Sequence, residues 1–371
     1  ITRGLVDARE CYVTRNDPAG YPVITTLTMI PIANPTQFAS TCYNEEASGV
    51  YMSESALYLS QPSLAGAASG ARSRIHKFTL GAGAPAYAGS IEIAGAIWTG
   101  GQSDFRLSEQ AGVLRVMTTD FVNDPQDSTE HRLYVLRQAA TGRALEIVAE
   151  LPNSRRPEKI GKPNEQLYGV RFLGDRAYAV TFRRTDPFYV IDLSNASDPR
   201  IAGEVDLPGY SDFLHPVTGS LVLGLGEDAS QRLKLELFDV SDPTRPSSRS
   251  AILLGGRGTS SEARYDRRAF AYLADVSGVD RFAIPTEVRA DDDSYRLVES
   301  SLSLFEVQRK QSPAVAALVR VGSVIARSAG GEVLPSSRGR AFIQGDSVFY
   351  VRDESVWAAS WLLPSRVNGP Y

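Results

Sequence analysis

"GVRFLGDRAYAVTFRRTDPFYVIDLSNASDPRIAGEVDLPG", residues 169–209, decides the fold. Apolar residues alternate with polar ones or run together in short stretches, and each stretch stops at Gly, Asp, Asn or Pro. That is the pattern of strands broken by turns. Strands are expected over 168–174, 177–183, 188–194 and 200–208. Gly174-Asp175 makes a two-residue turn, because glycine takes positive φ without a Cβ clash. Ser, Asn, Asp and Pro between 194 and 199 make the next turn, through side chains that bond nearby backbone and a proline that fixes φ. A lone four-stranded sheet exposes both faces and does not stand in water. The chain must therefore supply neighbours.

The neighbours are visible as repeats. "DFLHP", "SLVLGLG", "LKLELFDVS" and "SRSAILLGG" follow in the same plan over 212–256. Ser197-Asp198-Pro199 returns as Ser241-Asp242-Pro243, close to the roughly 40–45 residues of a WD-type propeller blade. Further copies begin in 48–60, 104–119, 267–285 and 340–361. Helical apolar spacing is almost absent. The reading is an all-β propeller of four-stranded antiparallel blades, six of them visible, forming one domain over 1–371. Residues 11–31 read as a third and fourth strand, and 340–361 as a first and second. Segment 1–47 is then a closing half-blade and tether, and 48–371 the remaining blades. If "VWAASW" (356–361) is a true third strand, the N-terminal half-blade needs strands from elsewhere, in a ring of seven or eight blades.

Composition narrows the function. Of 371 residues, 43% are hydrophobic and 22% charged, with a net charge of -4, which supports an ordinary core. The densest basic stretch, "NSRRPEKIGKP" (153–163), holds Pro and Gly and reads as a loop. No basic stripe tracks a phosphate backbone, so nucleic acid is excluded as a partner. No apolar run is long enough to cross a bilayer as a helix. The two cysteines, Cys11 and Cys42, lie in no C-x-x-C spacing. They read as a disulfide tying the N-terminal segment in an oxidising compartment, with a metal or redox thiol as the alternative. The chain begins at Ile1 without a signal peptide, as expected of a mature or cleaved product.

"LRVMTT" (114–119), "VRFLGDRAYAVTFRRTDPFYVIDLSNASDP" (170–199), "PGYSDFLHPV" (208–217), "LFDVSDPTRP" (237–246) and "DRRAF" (266–270) resemble a family of secreted prokaryotic proteins. Its members carry a C-terminal β-propeller distantly related to WD40 repeats. The resemblance spans roughly 48–361. It implies a propeller fold and an extracellular or periplasmic location, and no established reaction. Two departures stand out. Members carry upstream propeller sequence after a segment rich in Val, Asp, Glu and Ala, which implies that an upstream fragment of the same precursor supplies missing blades. Members also tend to have His before the Ala-Phe pair, where this chain has arginine.

Candidate chemistry is sparse. His76, His131 and His215 have no second histidine at ligand spacing, and the first two read as packed or surface residues. "GYSDFLHPV" (209–217) brings Ser211, Asp212 and His215 together, as a Ser–His–Asp hydrolase would need. Strand alternation puts Asp212 on the face opposite Ser211 and His215, against a triad. His215 reads better as a brace to a turn aspartate such as Asp175 or Asp198. The loop at 118–132 offers Asp120, Asp124 and Asp127, with Asn123 and Glu130, as oxygen ligands for calcium. Its spacing is not that of an EF-hand, and a solvated loop is the alternative. No other cofactor is expected. The three aspartates 291–293 read as a solvated hairpin tip.

A propeller's central funnel is the default ligand site. Arg171, Ser211, Asp212, His215, Ser260, Ser261 and Asp266 are its expected lining. "GGRGTSSEARYDRR" (255–268) is a long polar connection of the kind that carries function. The expected function is a non-enzymatic secreted module that binds a protein partner or a surface. The alternative is a hydrolase or lyase working with the funnel residues.

Overall fold

Short apolar runs between turn formers pair into sheets, in the computed structural model as in the sequence pattern. The structure describes residues 4–7, 9, 11–13, 23–63, 70–97, 103–183, 186–274, 278–292 and 294–371. The strands are β1 (Cys11–Tyr12), β2 (Thr25–Met29), β3 (Ala39–Tyr43), β4 (Gly49–Met52), β5 (Ala56–Ser63), β6 (Arg72–Thr79) and β7 (Ala86–Ala94). Then come β8 (Leu107–Gln110), β9 (Val113–Phe121), β10 (Thr129–Gln138) and β11 (Leu145–Leu151). The opening stretch forms β12 (Gln166–Leu173), β13 (Arg176–Phe182), β14 (Asp186–Asp192) and β15 (Arg200–Leu207). The next blade is β16 (Tyr210–Thr218), β17 (Leu221–Glu227), β18 (Leu233–Asp239) and β19 (Ser247–Leu254). It is followed by β20 (Ala271–Leu273), β21 (Asp280–Arg289), β22 (Leu297–Gln308) and β23 (Ala317–Val324). The last is β24 (Arg340–Gln344), β25 (Ser347–Arg352), β26 (Ser355–Ser360) and β27 (Leu363–Asn368).

From β4 onward these strands form six four-stranded sheets whose strands follow one another in chain order. The expectation of four-stranded antiparallel blades is met. Gly174 (φ +53°) and Gly345 (φ +55°) open the same two-residue turn in two blades, between paired Leu173–Arg176 and Gln344–Ser347. The contacts divide the chain into two compact units, Ile1–Asn164 with Leu193–Arg200, and Glu165–Asp192 with Ile201–Tyr371.

The two ends of the chain pair differently from the expected closing blade, each within its own unit. β1, β3 and β2 form a three-stranded sheet of their own, and β24–β27 form a complete one. Two strands escaped the reading. β3 lies between β1 and β2, and β27 gives the last blade its fourth strand beside a genuine third strand, β26. β1 runs parallel to β3 with Cys11 directly opposite Cys42. Their Cα atoms are 4.4 Å apart and a disulfide joins them. Residues 14–22, inside the expected N-terminal strands, and Asp293 of the acidic tip lie outside the described residues.

Each unit buries its sheet faces against neighbouring sheets. In the first, Tyr58, Ile75 and Ile93 of one blade pack with Leu114, Val116 and Leu136 of the next. In the second, Tyr178, Val180, Phe188 and Val190 meet Leu214, Val222, Phe238 and Val240. Phe188 and Phe238 stack 4.2 Å apart and nearly parallel. A further core joins Leu302, Leu304 and Val324 to Tyr350, Trp357 and Trp361.

The disulfide closes a loop with a sequence separation of 31. Replacing both cysteines by serine should cost about 3–4 kcal/mol, the loop-closure entropy of a ring of that size. Urea unfolding of the double variant, against wild type with and without reductant, measures it; unchanged midpoints would contradict the estimate.

Candidate functional site

In the second unit, two strand bulges and a buried arginine come together beside one cleft. β12 and β16 are the first strands of consecutive blades, and each carries a bulge at the corresponding point. Leu167 and Gly169 face Thr181 and Val180, which leaves Tyr168 as the extra residue. Ser211 and Phe213 face Gly226 and Leu225, which leaves Asp212 as the extra residue. A bulge re-aims one side chain out of the strand's alternation. Gly169 lets the two strands close up, since a Cβ there would lie 2.6 Å from the Ser211 carbonyl oxygen.

Both re-aimed side chains reach one cluster. The Tyr168 ring lies 4.6 Å from that of Tyr210 and 6.0 Å from that of Phe182, and Phe182 and Tyr210 are 4.7 Å apart. Beside the rings, the Arg264 Nε donates to Asp212 Oδ2 at 2.5 Å, its Nη1 donates to Glu227, and its Nη2 donates to the Tyr210 hydroxyl at 3.0 Å. The Tyr210 hydroxyl in turn donates to Glu227 at 3.2 Å. The Arg264 guanidinium lies 5.7 Å from the Tyr210 ring centre and 5.0 Å from that of Tyr265. Only 2% of the Arg264 side chain is exposed. A charge so buried persists because two carboxylates and a phenol satisfy its donors.

The connection 255–268 delivers that arginine. Ser261 accepts a hydrogen bond from the Ala263 N–H and caps the short turn Glu262–Arg264. Asp266 caps the following turn through the Arg268 N–H at 2.9 Å and pairs with Arg340 at 2.6 Å. Arg340 also holds Glu262 at 3.1 Å. The rings and Glu227 line a cleft of about 910 Å³. The turn 228–232, Arg257 and Asp291 complete the lining. Asp228 stiffens that turn by accepting from the Ser230 and Arg232 N–H groups and from the Arg232 guanidinium. Arg257 is held by Gln231 at 2.7 Å and lies over the Tyr295 ring.

Of the expected funnel residues, the structure brings only Asp212 to this cluster. Ser211 is fully buried; its hydroxyl lies against Gly224 and has no hydrogen-bond partner. His215 sits among the rings of Phe270 and Tyr272, at 4.9 and 4.2 Å. The bulge breaks the expected alternation, yet no triad results, because Asp212 turns to Arg264 and His215 to the rings. Arg171 lies near His215, and its charge acts on the imidazole. Ser260 bonds through its backbone to Glu287, while Ser261 and Asp266 are caps. Asp198, named as a brace for His215, pairs with Arg156 at 2.9 Å.

The calcium candidates are each engaged by other groups. Asp120 accepts from the Ala71 N–H, Asp124 from the Gln126 N–H, and Asp127 pairs with Lys159 at 2.7 Å. Among the described residues no group of three or more His, Cys, Asp or Glu side chains is gathered to hold a metal. His76 bonds Glu45 at 2.8 Å and His131 bonds Thr119 at 3.0 Å, both buried. Sequence reading missed Arg264, Glu227, Tyr168, Phe182 and Tyr210. The one signal was the connection 255–268, where serines and an aspartate drew attention away from the arginine between them.

Two groups of this unit titrate far from their ordinary values, in opposite senses. Burial pushes the Asp212 carboxyl up to about 6, against the pull of Arg264. Burial, helped by the charge of Arg171, holds the His215 imidazole down at about 4. A raised acid makes the folded state bind the extra proton, so its contribution is lost as pH rises from about 4 to 6. A depressed imidazole contributes stability above its unfolded value near 6.5 and loses it as pH falls toward 4. Each amounts to about 3 kcal/mol. Wild type should therefore show a shallow stability profile between pH 4 and 6. His215→Phe should become less stable as pH rises through that window, and Asp212→Asn less stable as it falls. Urea midpoints at half-unit pH steps measure this; parallel profiles for the two variants would refute it.

Residues 2–362 match the family model described as a beta propeller domain. An uncharacterised protein of Methanocaldococcus jannaschii is 38% identical over 144 residues, which are 39% of this chain and 21% of that protein. Another, of Archaeoglobus fulgidus, is 41% identical over 150 residues, 40% of this chain and 21% of that protein. The matched region thus spans about a fifth of the length of these relatives. Among solved structures, the WD40 domain of Toxoplasma gondii coronin aligns with 94% of this chain and 75% of that one, at TM-score 0.44 and 8% identity. The β-propeller domain of the trilobed protease of Pyrococcus furiosus aligns with 87% of this chain and 82% of that one, at TM-score 0.37 and 8% identity.

Proposed function

The chain belongs to the beta propeller domain family, and from that premise we propose that it is a non-enzymatic module that binds a partner protein through the cleft beside Tyr168. One observation carries the reading: most charged groups in and behind that cleft are paired with one another, beside aromatic rings that are not all covered. Asp212 and Glu227 hold Arg264, Asp228 holds Arg232, and Tyr168 keeps 38% of its surface exposed. Rigid tyrosine and arginine side chains are what energetic centres of protein interfaces are built from. A polar cleft of about 910 Å³ also differs from the mostly apolar pockets that enclose small molecules.

Catalysis has weaker support. His215, the only histidine in the second unit, stays neutral among rings, and the buried Ser211 hydroxyl makes no hydrogen bond to it. Asp212, with its carboxyl raised to about 6, is the single observation favouring a hydrolase or lyase, since a general acid works best near that range. The joining of both cysteines in one disulfide fits an oxidising compartment and supports export. No helix among the described residues is long and apolar enough to cross a membrane.

A photo-crosslinking amino acid at Ala229, on the cleft's turn, tests the binding reading in the native host. One partner band is expected, falling at least fivefold with Tyr168→Ala. Crosslinking insensitive to that substitution would argue against the cleft. Turnover of an ester, glycoside or polyuronate substrate that is lost with Asp212→Asn would establish the enzyme instead.

A further inference from the structure

Charge is unevenly spread along the cleft. At the rings, Asp212 and Glu227 share a single cation, Arg264, which leaves one negative charge in excess. Along the turn, Asp228 is matched by Arg232 at 2.7 Å. Asp291 acts on Arg232 as well, and Arg257 adds the second cation there. The turn side is neutral and the ring side is negative. Ring faces add their own negative potential. The chain uses that potential once already, by placing its own Arg264 guanidinium over Tyr210 and Tyr265. Tyr168 and Glu227 remain toward the cleft.

We infer that the ring end of the cleft holds a lysine or arginine side chain from an extended segment of the partner protein, an inference that rests on the cleft being the binding site. The cation lies against Tyr168 and pairs with Glu227. Its aliphatic stem lies along Phe182, as long basic side chains do on apolar surface. The neutral end, with Arg257 and Asp291, meets polar groups of the peptide backbone. An acidic side chain in the same place would face the Glu227 carboxylate across a poorly screened gap. A free small cation would leave most of the cleft filled with water.

A displayed library of random seven-residue peptides, selected on the full chain, tests this. The control is Ala229→Trp, whose indole fills the cleft from an exposed turn position. Peptides enriched by wild type over the control should share a Lys or Arg at one position. Changing that residue to Gln in a synthetic peptide should weaken binding about tenfold by fluorescence anisotropy, the size of a desolvated cation–π and ion-pair contact. Glu227→Gln, which keeps the shape and the acceptor for Arg264, should remove most of that preference while leaving the circular dichroism unchanged. Enriched peptides without a basic residue would overturn the inference and leave the cleft as a binding site. No enrichment over Ala229→Trp would overturn both.

Discussion

Phe188 and Phe238 stack face to face 4.2 Å apart, each wholly buried, on the third strands of consecutive blades. That contact stands for the constraint behind the rest of the second unit. A four-stranded sheet has two apolar faces and water cannot cover either, so every blade must lie against another. β18 shows the consequence in its sequence: "LKLELFD" is buried at every position, including Lys234 and Glu236, which pair with each other at 2.8 Å. Blades pressed this closely need small residues where backbones approach, and Gly169, against the Ser211 carbonyl, and Gly203, against the Pro243 and Thr244 carbonyls, occupy such points.

The candidate site grows from the same crowding. Tight approach of β12 and β16 leaves each with one residue too many for its partner strand, and the surplus residues, Tyr168 and Asp212, turn out of the sheets. Asp212 is then dry enough that burial, more than any neighbour, sets its proton affinity. Arg264 enters because a carboxylate in that position, with Glu227 beside it, demands a cation. The ring cluster, the buried cation and the cleft are one arrangement. Changing the register of either first strand would dismantle all three.

Much of the fold was legible because strand propensity and turn chemistry act over a few residues. Gly174-Asp175, the presence and order of β12 to β19 and the pairing of Cys11 with Cys42 all follow from local pattern and cysteine count, while the strand ends shift by up to two residues. β3 and β27 were not legible: "ASTCY" and "LPSRVN" are short and weakly apolar, and only their partners make them strands. The site was legible in one residue, Asp212, and for the wrong reason. Its place in "YSDFLH" suggested a triad, which period-two alternation argued against. The structure sets both arguments aside through a bulge, a feature of how two strands match in length.

Sequence alone determined the class of this protein: an all-β chain of repeated four-stranded sheets, with one disulfide and no charge pattern for nucleic acid. Those properties depend on composition and on spacings within a few residues, where backbone sterics and side-chain polarity decide the outcome. Tertiary structure alone decided which polar residues share a site. Arg264 lies 52 residues from Asp212 and 37 from Glu227 along the chain. Only the packing of blades against one another brings them together, and only the exclusion of water there makes each one require the others.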